Sequence, residues 1–377
     1  MNPMAEARID LDRLARNIRL VRENLPAHVK ILFAVKRDAY GHGLIELARA
    51  AQAEGVEWLG VADLLEAKRV RDAGLEMPIL ILGLSRKEDI AAAVELNVTL
   101  SITDLDFAAQ LDREAEVQQV KAAVHVIVDT GLGRFGIFPA EVVPFFQGLQ
   151  RFDHLQVEGI FSHLAVADSA DLADRAYTAE QIAKLNGALA RLDRAGLLPP
   201  LRHIGSAPCL VHHAAATTGG YFNMVRIGAI LYGYPEAEAE GTWAEEIRPI
   251  ATVTTAIIDL RELPAGSHIG YGLTYQADSM RKIAVIPLGF GSGFHRGLSN
   301  CGGVIVHGKR AAIVGRLCLD HTMIDVTGID VKIGDKVEVI GPRLPADEQA
   351  KRAGVGMCDV LIPLCKGVER VYVHEKS

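Results

Sequence analysis

A lysine follows directly on the first long apolar run of the chain. Residues 31–35 are all apolar and Lys36 comes next, so the stem of its side chain should start in a buried environment. Burial lowers the pKa of an amine, and a partly neutral amine can add to a carbonyl group and form a Schiff base. The position suits equally a structural lysine whose ammonium group reaches back to solvent.

Groups suited to binding phosphate follow three of the apolar runs. Hydroxyl groups and the unhindered backbone N–H groups of glycine-rich turns bind anions, above all where a helix begins. The residues of this kind are Tyr40 with Gly41 and Gly43, Ser206, and Gly228 with Ala229. If the fold brings them together with Lys36 and an arginine, the set indicates a site for pyridoxal 5'-phosphate (PLP).

Arg226 lies inside an apolar run, and His163 ends another. A buried guanidinium without a polar partner is costly, so Arg226 should face an acceptor, and the pyridine nitrogen of PLP is a suitable one. That contact would keep the nitrogen unprotonated, weaken the electron sink and favour reversible proton transfer. A histidine at a strand end is more often a structural residue, and His163 alone does not indicate otherwise.

The elements that must position these residues follow a regular pattern. Eight continuous apolar runs, each followed by an amphipathic segment, predict parallel strands that are buried on both faces, and this number of units is typical of a (β/α)8 barrel. The chemistry of such a barrel lies at the carboxyl ends of its strands. The predicted strands are 30–36, 57–62, 78–83, 98–103, 123–129, 157–163, 201–206 and 223–229.

The pattern changes after Gly233. A polar, glutamate-rich connection is followed by short strand-like runs separated by Gly and Pro, without convincing helices between most of them, which is typical of a β domain. We therefore predict an α/β architecture: a PLP-binding barrel over residues 1–239, then a mainly β domain over 240–377. The first ten or so residues could pack with that second domain.

Composition excludes several classes of protein. A formal net charge of -7 argues against a nucleic-acid partner, because phosphate backbones are bound by clustered Lys and Arg. The charged N-terminal segment is unlike a secretory signal, and the apolar runs are too short to cross a membrane. Five cysteines with no CxxC pair predict reduced thiols in a cytoplasm, with neither a disulfide framework nor a metal site.

Several motifs together resemble the alanine racemase family. They occur in the order found in that family and cover nearly the whole chain, so their joint specificity is high although each alone is weak. The motifs are Lys36 with AYGHG behind it, DTGLGRFGI (129–137), FSHLAVAD (161–168), NMVRIGAILYG (223–233), GYGLTY (270–275) and GRLCLDHTMIDVT (315–327).

The resemblance implies a role for each matching residue. Lys36 would carry PLP and act as one of two bases, and Tyr271 would be the base on the opposite face. Arg226 would meet the pyridine nitrogen, with His163 behind it, and Arg134 would orient the substrate carboxylate. The remaining cofactor contacts would be Tyr40, Ser206, Gly228 and Ala229, and the substrate side would include Leu319, Asp320 and Cys358. Because Tyr271 and Asp320 reach the site from the partner subunit in this family, a homodimer with shared active sites is also implied.

The chain departs from the family at several positions. Ile127 stands where many members have a carbamylated lysine that positions the arginine, so Arg134 must be held by chloride or by a neighbouring side chain. Arg37 and Asp38 replace a small residue and an asparagine. Phe290, Leu319 and Cys358 replace a tyrosine, a methionine and a tyrosine around the substrate. The substrate is therefore expected to be alanine, serine or a related small amino acid.

Two other functions fit part of the pattern. A PLP-dependent decarboxylase of the same fold would also use Lys36, and Cys358–Asp359 faintly resembles a pair found in that group. A non-catalytic PLP-binding protein would keep the lysine, but such barrels usually lack the β domain. Exchange of the substrate α-proton in deuterated water would separate the three functions.

Overall fold

The computed structural model describes residues 2–374 and divides the chain into two compact units. The first, here called the barrel unit, consists of Ala15–Arg37 and Leu44–Ile247. The second, the β unit, contains the described residues up to Leu14, the segment Asp38–Gly43, and the described residues from Arg248 onward. A six-residue segment that directly follows Lys36 and Arg37 thus packs with the C-terminal part of the chain.

The barrel unit is a closed barrel of eight strands, and the predicted fold class is confirmed. Each strand pairs in parallel with the next, and the last returns to the first, so that Lys30 lies opposite Met224. After β1 (Asn2–Asp10), which belongs to the β unit, the barrel strands are β2 (Lys30–Ala34), β3 (Trp58–Val61), β4 (Ile79–Leu84), β5 (Thr99–Ile102), β6 (Ala122–Ile127), β7 (Leu155–Phe161), β8 (Leu201–His203) and β9 (Met224–Ile227).

Amphipathic helices alternate with these strands. Several begin at an aspartate that accepts hydrogen bonds from the first free N–H groups, as at Asp63, Asp104 and Asp171. The helices are α1 (Leu11–Glu23), α2 (Lys36–Tyr40), α3 (Leu44–Ala53), α4 (Leu64–Asp72), α5 (Ile90–Glu95), α6 (Leu105–Val117), α7 (Val142–Leu149), α8 (Leu172–Arg194), α9 (Ala207–His212) and α10 (Ala214–Thr218). None within residues 2–374 is long and apolar enough to span a membrane.

The interior of the barrel is filled by side chains. Its apolar cluster consists of Leu32, Trp58, Leu80, Ile127, Phe161, Leu201 and Met224, with Leu82 and Phe135 packed against it. Polar side chains share this interior: His125 and His203 are fully buried, and Arg226 is 8% exposed. The barrel therefore holds an unusual polar group within an apolar core.

The β unit is built on a nine-stranded sheet. In it β1 lies between an antiparallel neighbour, β10, and a parallel one, β19. The strands are β10 (Ala251–Ala256), β11 (Asp259–Leu263), β12 (His268–Ile269), β13 (Tyr275–Gln276), β14 (Arg281–Ile286), β15 (Gly303–Val306), β16 (Lys309–Ile313), β17 (Thr322–Asp325), β18 (Lys336–Ile340) and β19 (Val368–Val373). Their order in the sheet is β11-β14-β17-β16-β15-β18-β10-β1-β19, and β12 pairs with β13.

Two helices in the β unit were not predicted. They are α11 (Ala346–Ala353), which ends at the left-handed Gly354, and α12 (Met357–Gly367), which contains Pro363. One of the short strand-like runs after Gly233, residues 267–275, is broken by a 3-10 turn over Tyr271–Leu273, because Gly270 and Gly272 adopt positive φ angles. The aromatic ring of Tyr271 thus lies on a turn rather than within a strand.

Candidate active site

Lys36 opens α2, which is a short left-handed turn at the mouth of the barrel and not an ordinary right-handed helix. Strand β2 ends at Ala34, and the N–H of Val35 still donates to the carbonyl of Gly60. The four residues after Lys36, Arg37 to Tyr40, then have φ angles between 52° and 60°. This conformation costs L-residues roughly 1–2 kcal/mol each, and such strain persists only where the surroundings fix it. The predicted strand over 30–36 is therefore two residues too long.

Hydrogen bonds within the β unit fix the rest of this turn. The N–H groups of Gly41 and Gly43 both donate to the carbonyl of Asp38, at 3.1 and 3.0 Å. The carboxylate of Asp38 is almost fully buried and forms an ion pair with Arg370 of β19. The same guanidinium donates to the carbonyl of Gly41 at 3.0 Å. The segment that carries Tyr40 is thus anchored at both its backbone and its one acidic side chain.

The other predicted phosphate donors follow strands that are neighbours in the barrel. Ser206 comes after β8, and Gly228 with Ala229 comes directly after β9, which pairs with β2 on its other side. Within residues 2–374, the backbone N–H groups of these three residues donate to no protein acceptor. Gly228 and Ala229 are also buried. Buried donors of this kind require an acceptor, and a bound anion would supply one.

Among the described residues, the partners of the Arg226 side chain in β9 are neutral groups. Its guanidinium lies 2.9 Å from Nδ1 of His203, 2.6 Å from the carbonyl of Ser162 and 3.3 Å from Nδ1 of His163. It also stacks over the ring of Phe161, at 4.9 Å from the ring centre. No carboxylate of the described chain lies within ion-pair distance, and burial lowers the pKa of Arg226 to about 10. The side chain remains a cation at neutral pH.

His163 lies among three cations. Burial lowers its pKa to about 3, and the charges of Arg226, Arg134 and Lys36 lower it in the same direction. The imidazole is therefore neutral near pH 7, and its Nδ1 can accept from Arg226. The loop behind it is fixed by Gln181, whose amide donates to the carbonyl of His163 at 3.3 Å. Three cations thus lie around a neutral imidazole, and the carboxyl group of Glu236 lies near one of them, Lys36.

Arg134 lies on a tight loop after β6. The carboxylate of Asp129 accepts from the N–H groups of Gly131, Leu132 and Gly133, which holds the loop in place. The guanidinium is exposed and stacks over the adjacent Phe135 ring at 4.6 Å. Ile127 is buried in the barrel core, and the aromatic ring beside Arg134 is that of Phe135.

The remaining predicted residues lie in the β unit. Tyr271 is 69% exposed and Leu319 54% exposed, and Asp320 next to Leu319 is exposed as well. Cys358 is half-buried in the first turn of α12. Phe290 is partly exposed, with the guanidinium of Arg296 over its ring. The β unit therefore presents several large apolar side chains to solvent.

Sequence reasoning missed some buried residues of this region. His203 contacts Arg226, and His125 contacts His203 in turn, with 2.9 Å between Nδ1 of His125 and Nε2 of His203. The ion pair of Asp38 with Arg370 was missed as well. The two histidines could have been identified in the same way as Arg226, because each is a polar residue within an apolar strand of the sequence. The ion pair joins positions 332 residues apart and left no local signal.

Two family profiles account for almost the whole chain. The profile of the alanine racemase N-terminal domain matches residues 9–236. The profile of the alanine racemase C-terminal domain matches residues 250–372. The chain belongs to the alanine racemase family. It is therefore an isomerase, and the family predicted from the motifs is confirmed. The matching profiles are those of racemases, which weakens the decarboxylase alternative.

Relatives from distant organisms match over their full length. The chain is 36% identical over 380 residues to the alanine racemase of Geobacter sulfurreducens, covering 98% of this chain and 97% of that one. It is 32% identical over 374 residues to the alanine racemase of Methanococcus maripaludis, covering 98% of each. Among solved structures, alanine racemase from Clostridium difficile 630 is similar with a TM-score of 0.89 and 30% identity, over 99% of this chain and 97% of that one.

Proposed function

We propose that the protein is a PLP-dependent racemase that interconverts the L- and D-forms of a small amino acid. The observation that carries the proposal is the set of three cations, Lys36, Arg134 and Arg226, around the neutral imidazole of His163. A site with this charge suits a phosphorylated cofactor together with the carboxylate of an amino acid. Family membership supports the same activity, since the relatives are named alanine racemases.

The donor set fits PLP. Lys36 would hold the cofactor covalently through its ε-amine, and Arg226 would donate to its pyridine nitrogen. The buried N–H groups of Gly228 and Ala229, which have no acceptor within the described chain, would bind the phosphate together with Ser206 and Tyr40. When bound, PLP supplies an electron sink that stabilises negative charge on the substrate α-carbon.

Arg226 would limit that electron sink. A guanidinium with a pKa of about 10 remains protonated at neutral pH and only donates hydrogen bonds. A pyridine nitrogen facing it would therefore stay unprotonated. Negative charge on the α-carbon would then be stabilised enough for a proton to leave and return. Decarboxylation and elimination would benefit from a stronger electron sink than this one.

Inversion requires a proton donor and acceptor on each face of the α-carbon. We assign Lys36 Nζ to one face and Tyr271 Oη to the other. Tyr271 would come from a second copy of the chain, in a homodimer with shared sites. Tyr271 and Leu273, which lie exposed on the same turn, and the exposed Leu319 support such an interface, because large apolar side chains at the surface are often covered where proteins associate.

The substrate would be a small amino acid bound through its carboxylate to Arg134. A thiol at Cys358, where the family has a tyrosine, would leave room beside the substrate Cβ. Serine is our leading candidate, because Cys358 and Asp359 could make polar contacts with its hydroxyl group. Alanine remains the alternative if Phe290 or another side chain fills the space. Within residues 2–374 no disulfide joins the five cysteines, and we propose a cytoplasmic location.

Borohydride reduction of the yellow holoenzyme, followed by peptide mapping, tests the cofactor assignment. The reduced cofactor should be found on Lys36, and Lys36→Ala should leave no covalently bound cofactor. Chiral chromatography of pure L- and D-alanine and serine after incubation tests the reaction. Formation of an amine with loss of carbon dioxide would indicate the decarboxylase, and cofactor binding without any turnover would indicate the non-catalytic protein.

A further inference from the structure

Three polar side chains form a continuous buried chain inside the barrel. Arg226 contacts Nδ1 of His203, and Nε2 of His203 contacts Nδ1 of His125, each at 2.9 Å. Both histidines are fully buried. His125 belongs to β6, His203 to β8 and Arg226 to β9, so the chain links three strands of the barrel through its interior.

The direction of these hydrogen bonds is determined by Arg226. A guanidinium has donors only, so Nδ1 of His203 must accept and carry no proton. A neutral imidazole then has its proton on Nε2, and this N–H donates to Nδ1 of His125. The proton of His125 must accordingly lie on its own Nε2. Burial and the charge of Arg226 lower the pKa values of both histidines, that of His125 to about 3, so both rings stay neutral.

The last member of the chain has an unusual environment. Nε2 of His125 is buried and has no hydrogen-bond partner within the described residues. The ring lies flat against Gly159, where a Cβ atom would come within 2.6 Å of it, and Trp58 lies 5.5 Å away between ring centres. If packing alone mattered, an apolar side chain would be more favourable here, because it would leave no unpaired N–H in the apolar core. We therefore expect the imidazole to have a function other than filling space.

We propose that His125 is a positioning residue for Arg226. By accepting from Nε2 of His203, it holds His203 in the tautomer that presents a lone pair to the guanidinium. In the other tautomer an N–H of His203 would face Arg226, and two donors would oppose each other. The effect on the reaction rests on the proposed function, in which Arg226 meets the cofactor. The tautomers themselves do not depend on it.

Arg226 is sensitive to this contact because its other partners are few. Within the described chain the remaining hydrogen bonds of its guanidinium go to the carbonyl of Ser162 and to Nδ1 of His163. No carboxylate among residues 2–374 forms an ion pair with Arg226 that would compensate for the loss of an acceptor. Aligned hydrogen bonds also strengthen one another in an apolar interior, so an acceptor at His125 strengthens the bond between His203 and Arg226.

Histidine-selective 15N NMR of the full-length protein, with and without PLP, tests the tautomers. Protonated and unprotonated ring nitrogens have well-separated 15N shifts. His125 and His203 should both show a protonated Nε2 and an unprotonated Nδ1 across the neutral pH range. A protonated Nδ1 on His203 in the wild type would overturn the proposal, whether or not the protein racemises amino acids.

Two nearly isosteric variants test the function of His125. Asn places an amide oxygen close to the position of Nδ1, whereas Leu has no acceptor. His125→Leu should give His203 a mixed tautomer signal and lower kcat/KM about 10- to 100-fold, and His125→Asn should restore the signal and most of the activity. If His125→Leu does not fold, His125→Met replaces it.

The results separate the two proposals. The proposed role of His125 would be overturned if His125→Leu and His125→Asn showed the same His203 tautomer signal and the same kcat/KM. A wild-type protein with the expected tautomers but no racemisation would instead overturn the proposed function.

Discussion

Arg370 of the last strand forms an ion pair with Asp38, two residues after Lys36. The pair anchors a turn in which four consecutive residues have positive φ angles, a conformation that is stable only when its surroundings fix it. Because Tyr40 lies in the same turn, Asp38 and Arg370 hold in place a segment that we propose to bind PLP.

Arg370→Met should loosen this turn. It leaves the Asp38 carboxylate buried without its cation, which should cost about 3 kcal/mol in the free energy of unfolding and weaken PLP binding. Urea denaturation and equilibrium dialysis of PLP would measure the two effects. Asp38→Asn keeps an acceptor for Arg370 and should lose less stability and less PLP affinity. Equal losses in both variants would argue against a role of the charge.

Acid should destabilise the apoprotein through its buried histidines. Burial is the main cause that lowers the pKa values of His125 and His163 to about 3, while an unfolded histidine titrates near 6.5. Below pH 6.5 the unfolded state then binds more protons than the folded state, so the free energy of unfolding decreases as the pH falls. At pH 5 the decrease relative to neutral pH should be about 2 kcal/mol per histidine.

Urea unfolding at pH 7.5 and pH 5 would measure this loss. His125→Asn should reduce the difference between the two pH values by about 2 kcal/mol, because one titrating group is removed. His28→Asn, at an exposed position, is the control and should behave as the wild type does. A pH difference unchanged in His125→Asn would contradict the assignment of a neutral buried imidazole.

Substrate preference should depend on Cys358. If the thiol leaves room beside the substrate Cβ, serine or a larger amino acid should be accepted well, and Cys358→Tyr should shift preference toward alanine by about 10- to 100-fold in kcat/KM. Comparing alanine, serine and longer amino acids in both proteins measures this. A wild type that prefers alanine over every other substrate, with no change in Cys358→Tyr, would end the idea of an enlarged pocket.

Mixed dimers would show whether subunits share sites. Lys36→Ala and Tyr271→Phe should each be inactive, yet a heterodimer of the two would contain one intact site if Tyr271 comes from the partner. Co-refolding equal amounts should therefore restore about a quarter of the wild-type activity, since half of the dimers are mixed and each has one intact site of two. Should activity stay absent although the mixed dimer is detected, each site would lie within one chain.

The barrel was predictable because its strands are buried on both faces and appear as uninterrupted apolar runs. Candidate site residues stood out for the same reason, since polar residues at strand ends contrast with those runs. Lys36, Ser206 and Arg226 were proposed in this way, and their roles stay predictions. Tyr271 and Cys358 came only from the resemblance to a family, because nothing in their own segments indicates chemistry.

Three other features could not be predicted from the sequence, each for a physical reason. Helix α12 contains Pro363 and a mixture of apolar residues that suits a strand as well as a helix. The break at Tyr271 depends on two glycines whose positive φ angles are set by tertiary contacts. His125 resembles a core residue because a neutral imidazole is tolerated inside a barrel, and its role appears only when the direction of its hydrogen bond is traced back to Arg226.

The measurement that tests the account most directly is exchange of the α-proton in deuterated water, started separately from each enantiomer of the preferred substrate. Wild type should exchange both. Tyr271→Phe should lose exchange mainly from one enantiomer and Lys36→Ala mainly from the other, because each base serves one face of the α-carbon. Losses of equal size from both enantiomers, of about 10²–10⁴-fold in each variant, would contradict the two-base racemase.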